Sequence, residues 1–348
     1  MRSLSFVQAR GLGGTAMRIL WSVLLVLLFV PPWSGEERLA LFDHDAKLVA
    51  RPVEAPKRVG ALRLVAMVQL ESALPGFGGF SAVALRGGKL ILLSDGGNWL
   101  QFALRGGRVE DARIGVLPAG PGTGWAKADR DSESLALDPV AGTAWVGFET
   151  FNQIWRYDAA FRRGAAHIAP EAMRRWGVNR GAEAMVRLRD GRFVVLCEHG
   201  AKRRLPREGL IFPGDPTRGG PPKRFGFVPP AGYDLSDAAE LPNGDLLVLA
   251  RRFALPFDFS AKLVRIARGA LKAGATVRGQ EVAALAGGAY AENWEGVTAT
   301  VERGRTVLWL VSDSDTAFLQ HSKVAKFVLL DTPNGPAVGD RRAVRAKP

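Results

Sequence analysis

Acidic side chains recur along this chain at one phase of a repeat. A carboxylate or hydroxyl stands at the head of a short apolar run at Ser81, Glu133, Glu183, Asp237 and Glu295, in steps of 52, 50, 54 and 58 residues. A turn and a second apolar run follow each, and all five runs end on another charged or hydroxyl residue: Ser94-Asp95, Glu149, Glu198, Arg251 and Ser312-Asp313. The repeat therefore gathers Asp95, Asp131, Glu133, Glu149, Glu183, Glu198, Asp237, Glu240, Glu295, Asp313 and Asp315 into a few rings. Carboxylates held close together repel one another and call for a compensating cation. A hard ion such as Ca²⁺, which takes six to eight oxygens, suits that donor set. Its candidate ligands are Asp131, Glu133, Glu183, Asp237, Glu295 and Asp313. Interleaved Arg130, Arg156, Arg180, Arg251 and Lys323 are the other source of compensation, and salt bridges between repeats or turn caps are the bland alternative.

These residues have to be positioned by strands. The turns Asp190-Gly191 and Asn243-Gly244 are hairpin signals. A period near 50 residues exceeds one hairpin and suits a four-stranded blade. Further strand-like runs fall between the anchors at Trp99 to Leu104, Gln153 to Tyr157 and Leu263 to Ala267, and Pro170 to Trp176 is the one helical candidate. Leu62 to Leu70 and Val324 to Leu330, at opposite ends of the chain, can close a ring by sharing a blade. The expectation is an all-β fold, a β-propeller of five or six four-stranded blades over residues 61–331. With 41 glycines and 21 prolines the chain has the turn-formers such a fold needs, and 47% hydrophobic residues exclude a disordered chain.

The net charge of +13 suggests an anionic partner, but part of it lies outside the repeats. Arg2, Arg10 and Arg18 precede the apolar run Ile19 to Val30, which reads as a signal peptide or an uncleaved membrane anchor over residues 1–35, followed by a linker over 36–60. Residues 332–348 read as a disordered basic tail. The expected location is periplasmic or extracellular, with inner-membrane anchoring if the segment is uncleaved. The lone Cys197 suits that compartment, excludes an internal disulfide, and reads as a buried, inert thiol. Residues 201–224, rich in Arg, Lys, Gly and Pro, read as a long basic loop. Basic residues without interleaved aromatics or a recognition helix argue against nucleic acid and leave a small anionic or ester substrate as the partner. A Gly-x-Ser-x-Gly elbow, a phosphate loop and a His-Glu-x-x-His motif are all lacking. His199 and His321 fall near repeat ends, where surface positions are expected.

The phrases Gly78-Gly79-Phe80-Ser81, Ser94-Asp95-Gly96-Gly97, Asp131-Ser132-Glu133-Ser134-Leu135-Ala136, Asn179-Arg180-Gly181-Ala182-Glu183, Leu249-Ala250-Arg251-Arg252 and Asn293-Trp294-Glu295-Gly296-Val297 together resemble the bacterial phytase-like family, described as having esterase-like activity of phytase. The resemblance covers most of the repeat region and implies an exported β-propeller hydrolase of phosphoesters or related esters, for which the acidic rings make Ca²⁺ the expected cofactor. Where the family commonly shows Glu-Gly, this chain has Glu133-Ser134 and Glu183-Ala184, and only Glu295-Gly296 keeps it. Neither the Asp-rich signature nor the Asn-Asn-hydrophobic-Asp element of the calcium-binding β-propeller phytases is present. In a hydrolase of this kind Arg180 and Arg251 would clamp phosphate oxygens, and Glu183 or Glu295 would serve as ligand or general base. Two other readings fit the same residues: a non-catalytic propeller that binds a ligand or partner at the cell envelope, and a metal-dependent lactonase-like hydrolase.

Overall fold

The computed structural model describes residues 14–29, 44–45, 47–74, 77–124, 127–177, 181–198, 205–255, 258–313 and 322–330. Five sheets follow one another along the chain, antiparallel throughout except where Thr276–Arg278 adds in parallel to the outer edge of the third. Their innermost strands are Phe80–Arg86, Ser132–Asp138, Ala182–Arg187, Asp234–Glu240 and Trp294–Glu302. Each packs on the next, and the fifth packs on the first, so the sheets are the blades of a closed five-bladed propeller. In each blade the first three strands step outward in chain order. The fifth blade is closed as the chain ends suggest: Leu62–Glu71 pairs with Lys323–Leu329, so the two ends share one sheet. Part of the stretch read as a linker is strand as well. Val49–Pro52 pairs with Leu62–Glu71, and His44–Asp45 extends the first blade.

Among the described residues no single central core exists. Five apolar clusters each fill the space between two adjacent blades. Because both faces of a blade are covered, its second strand reads as a continuous apolar run rather than an alternation. Leu90 and Leu92 point to the fifth blade while Ile91 and Leu93 point to the second. Leu246 and Val248 likewise face the third blade, and Leu247 and Leu249 face the fifth. The tight turn Gly87-Gly88 has both residues at positive φ, which matches the strand twist in a two-residue hairpin.

Two expectations change. Residues 201–224 are not one long loop: Arg207–Phe212 and Lys223–Val228 are the third and fourth strands of the third blade. The charges that made the stretch look like a loop sit at strand ends, where Arg207 pairs with Asp234 at 2.7 Å and Arg224 with Glu208. The apolar residues between them alternate, with Leu210 and Phe212 facing the second blade and Ile211 the fourth. Pro170 to Trp176 holds only a single 3-10 turn, Glu171–Met173. It works as a plug, burying Met173 and Trp176 between the second and third blades.

At the N-terminus an α-helix spans Gly14–Phe29. Among the described residues no helix is long and apolar enough to cross a membrane. The basic tail 332–348 lies outside the described residues.

Candidate functional site

Every innermost strand carries a β-bulge at the same level. The ladder skips Ser81, Glu133, Glu183, Ser236 and Glu295, one per blade. A bulge leaves its extra residue unpaired and re-aims the side chain. These five bulges therefore define a ring around the axis. The residue that follows the bulge packs where neighbouring inner strands crowd together, and it is small in four blades: Ala82, Ser134, Ala184 and Gly296. A Cβ on Gly296 would lie 2.8 Å from the Val83 nitrogen, so glycine is required there. Ser134 fits because its Oγ donates to the Ala182 carbonyl at 2.7 Å. The departures from Glu-Gly are thus packing solutions that leave the acid in place.

A second ring comes from the residue just past the second strand in four blades, Asp95, Glu149, Glu198 and Asp313, and from Arg251 at the same level within the longer second strand of the fourth. Four of the five are acids, and the fourth blade supplies an arginine. Oxygens of Asp131, Glu133 and Glu149 lie within 4.8 Å of one another, and so do those of Glu149, Glu183 and Glu198. Glu149 belongs to both triads. Its place is fixed by the close approach of Gly181, where a Cβ would lie 2.8 Å from the Glu149 backbone. The Gly181 amide donates to the Glu149 carboxylate.

The electrostatics follow from this crowding. Burial pushes the Glu149 carboxyl up to about 8, with Asp131 and Glu198 adding to the effect. Glu133 and Glu183 are raised well above the ordinary carboxylate range by burial and by neighbouring acids. Burial pulls Arg251 down, but Glu295, Glu183, Glu198 and Glu133 outweigh it and hold the guanidinium firmly charged. Arg251 lies 3.0 Å from Glu295, 3.5 Å from Glu198 and 3.9 Å from Glu183. It lines a polar pocket of about 220 Å³ with Gly79, Ser81, Asp95, Glu133, Asn293, Glu295 and Asp313. Asn293 is only 4% exposed, and its Oδ1 has no hydrogen-bond partner. Lys127 reaches Asp95 at the rim.

A carboxyl whose folded pKa is raised binds more protons folded than unfolded, so its stabilising contribution is lost as pH rises. Metal-free protein is therefore expected to lose a few kcal/mol of stability between about pH 4.5 and pH 8, the window set by Glu149. Urea denaturation in chelator across that range checks the sign.

Not every expected residue joins the rings. Asp237 sits one residue deeper than the bulge at Ser236, and its two oxygens accept the amides of Ala238 and Val297, each at 2.7 Å. It ties the fourth inner strand to the fifth, while Ser236 takes the ring position and donates to the Glu295 backbone at 3.0 Å. Asp237→Ala, which leaves the buried Val297 amide without its acceptor, is expected to cost about 2 kcal/mol in urea unfolding. Calcium affinity by calorimetry should not change. Glu240 lies at the other end of the same strand, where it accepts from the Arg189 amide at 2.9 Å. Arg130 donates to the carbonyls of Pro121 and Asp129, Arg156 pairs with Asp215 at 2.6 Å, and Lys323 pairs with Glu292. Asp131 belongs to one triad, and Asp313 lines the pocket. Cys197 is fully buried, its thiol pushed up to about 12 by burial. Arg180, Asp315, His199 and His321 lie outside the described residues.

Sequence reasoning passed over Asn293 and Lys127. Asn293 was legible as the residue preceding the last inner strand, the position that Asp131 holds in the second blade. Lys127 lies in a turn between blades with no repeat to mark it.

Among solved structures, the chain is similar to Myxococcus xanthus glutaminyl cyclase, with 10% identity, 78% of this chain and 97% of that one covered, and a TM-score of 0.45. It is also similar to the β-propeller domain of Myceliophteria thermophila Cps50 (Swd1), with 11% identity, coverage of 82% and 99%, and a TM-score of 0.36. Against Kuenenia stuttgartiensis hydrazine synthase, identity is 12% and the TM-score 0.35, with 69% of this chain covered and 58% of that one. No curated protein sequence matches. The family model described as phytase-like, esterase-like activity of phytase, matches residues 75–316, which contain all five inner strands and both rings, and the chain belongs to that family.

Proposed function

We propose that the protein is an exported hydrolase of phosphoesters or related esters that works with a bound hard cation, Ca²⁺ being the natural candidate. The observation that carries this reading is the pair of carboxylate triads sharing Glu149 beside a polar pocket that contains one arginine. The donor set fits such an ion: every ligand is a carboxylate oxygen, Glu149 and Glu183 are buried, and burial with neighbouring acids raises both carboxyls, a cost a bound cation would relieve. Glu149, Glu183 and Glu198 would hold the cation, with Asp131 beside them. When bound, it would neutralise negative charge and polarise a substrate oxygen.

The chain's own residues supply the rest. Arg251 binds an anionic or polarised oxygen of the substrate, and Glu295, 3.0 Å away, fixes its guanidinium. The buried Asn293 amide orients the substrate in the pocket. Glu133 lines that pocket, and burial with neighbouring acids makes its carboxyl a stronger base than an ordinary carboxylate, so it is assigned the general base. It takes the proton of the attacking water as the bond from carbonyl carbon or phosphorus to the leaving oxygen breaks. The same carboxyl then returns that proton to the leaving alkoxide. Glu183 lies behind Arg251 as a ligand. The basic n-region, the short apolar run and the single cysteine support export.

The test is chelator-stripped protein assayed on p-nitrophenyl phosphate and p-nitrophenyl acetate with and without added Ca²⁺. Turnover that depends on the metal is expected. Absence of turnover on both substrates under every condition overturns the reading. A calcium-dependent rise in Tm without turnover would favour the non-catalytic binding propeller.

A further inference from the structure

In four blades the second strand stops at the level of the rings, at Ser94, Phe148, Cys197 and Ser312. In the fourth blade it does not. Leu246–Ala254 continues past Arg251 and stays paired with Asp258–Ile266, in the register Arg251 with Ala261, Arg252 with Ser260, Phe253 with Phe259 and Ala254 with Asp258. One hairpin therefore projects beyond the mouth of the site.

Its two faces are different. Side chains alternate along a strand, so the face can be followed from the core outward. Leu247 and Leu249 face the fifth blade, and Arg251 continues that face to reach Glu295. Phe253 is the next residue on it, about 7 Å further out. Phe259, directly opposite, shares the face, and the two rings lie 4.7 Å apart. Phe253 is 49% exposed and Leu255, at the tip, 84%. The opposite face is braced. The Tyr233 ring takes Arg252 at 5.6 Å and Lys262 at 5.1 Å, its hydroxyl lies 3.1 Å from Ser260 Oγ, and Arg252 pairs with Asp258 at 3.0 Å. The hairpin is held from behind and presents the exposed Phe253 ring, backed by the half-buried Phe259, one step above the arginine of the pocket.

We propose that this face is the wall that binds the apolar group of the substrate, so the site takes an ester with an acyl chain or aryl group in preference to a small or wholly charged one. The inference rests on the hydrolase reading above and deepens it. The polar end of the ester sits against Arg251 and Asn293, and its apolar group runs outward along Phe253 and Phe259. An exposed Phe253 and Leu255 beside a polar site call for something apolar to cover them in use, and Phe253 is the next residue outward from Arg251 on the same strand face.

The test uses the full chain and two independent readouts. The first is kcat/KM for p-nitrophenyl acetate, butyrate and octanoate. Wild type should rise at least tenfold along the series. Phe253→Ser and Phe259→Ser should flatten that rise through KM, Phe253→Leu should retain most of it, and Val140→Ser, at an exposed turn of the second blade, should match wild type. The second is fluorescence titration with the neutral apolar probe N-phenyl-1-naphthylamine, whose affinity should fall at least fivefold in both serine variants. Unchanged chain-length dependence or unchanged probe affinity in those variants overturns the proposal. So does a wild-type dimer that Phe253→Ser converts to monomer in sedimentation, because the face would then cover a second copy. If the probe requires Phe253 but no ester or phosphoester is turned over, the hydrolase reading falls and the apolar wall stands.

Discussion

Replacing Glu149 with glutamine is expected to abolish the calcium response and to raise the stability of the metal-free protein. The two effects have opposite sign, and both follow from its position. Glu149 is the one carboxylate common to both triads. Glutamine keeps its shape and can still accept from the Gly181 amide, but removes a ligand charge. Calcium at a hundredfold excess over Kd stabilises a folded state by about 2.7 kcal/mol, equivalent to a rise in Tm of roughly 5 °C for a domain of this size. That rise should vanish in Glu149→Gln, and turnover should drop by about a hundredfold. Without metal, the same change relieves repulsion from Asp131 and Glu198 at a site where burial already pushes the carboxyl up to about 8. The stripped variant should therefore be more stable than stripped wild type at pH 8, by about 1–2 kcal/mol. At pH 5, where Glu149 of the folded wild type holds a proton and the repulsion is already relieved, the difference should shrink. Differential scanning calorimetry with and without Ca²⁺ at both pH values reads all of this. A variant less stable than wild type at pH 8 in chelator would show that Glu149 is a structural acid.

The propeller was legible because its repeat is spaced by its own geometry. Each blade must return the chain to the axis, so an inner strand recurs about every 50 residues, and the apolar runs are continuous because neighbouring blades cover both faces of every sheet. Closure through Leu62–Glu71 was legible too, since an open ring would leave two strand edges unpaired. Composition misled where strands carry charge at their ends. Arg207 and Arg224 belong to a buried sheet, yet their neighbours make the segment read as a basic loop.

The site was harder to read, for a reason one residue wide. Ser236-Asp237 offers a hydroxyl and an acid side by side, and the acid looks like the counterpart of Glu133, Glu183 and Glu295. Which of the two is bulged depends on register, and a shift of one residue turns a side chain to the other face. The bulge falls on Ser236, so Asp237 turns toward backbone amides. The second ring was visible as the polar residue that ends each second run. Its departure, Arg251 among acids, marks the blade that also carries the projecting hairpin.

Arg251→Ala is expected to weaken the fold at neutral pH, to lose activity, and yet to bind calcium more tightly. The guanidinium is the cation that the described structure places among Glu183, Glu198 and Glu295. Its removal leaves those carboxylates facing one another, at a cost of about 2–4 kcal/mol at pH 8, the lower part of the range applying because about a third of the side chain reaches solvent. The carboxyls of the variant take up protons more readily in the folded state, so the deficit relative to wild type should close as pH falls toward 5. Arg251→Lys should recover only part, because an ammonium is a point charge and cannot span three carboxylates. With a repelling positive charge gone, a divalent cation meets a more negative site. Calcium affinity by titration calorimetry should therefore rise several-fold while turnover falls at least tenfold. Tighter binding with lost turnover separates a substrate-binding arginine from one that only holds the ring together, since a purely structural arginine would lose metal affinity along with stability.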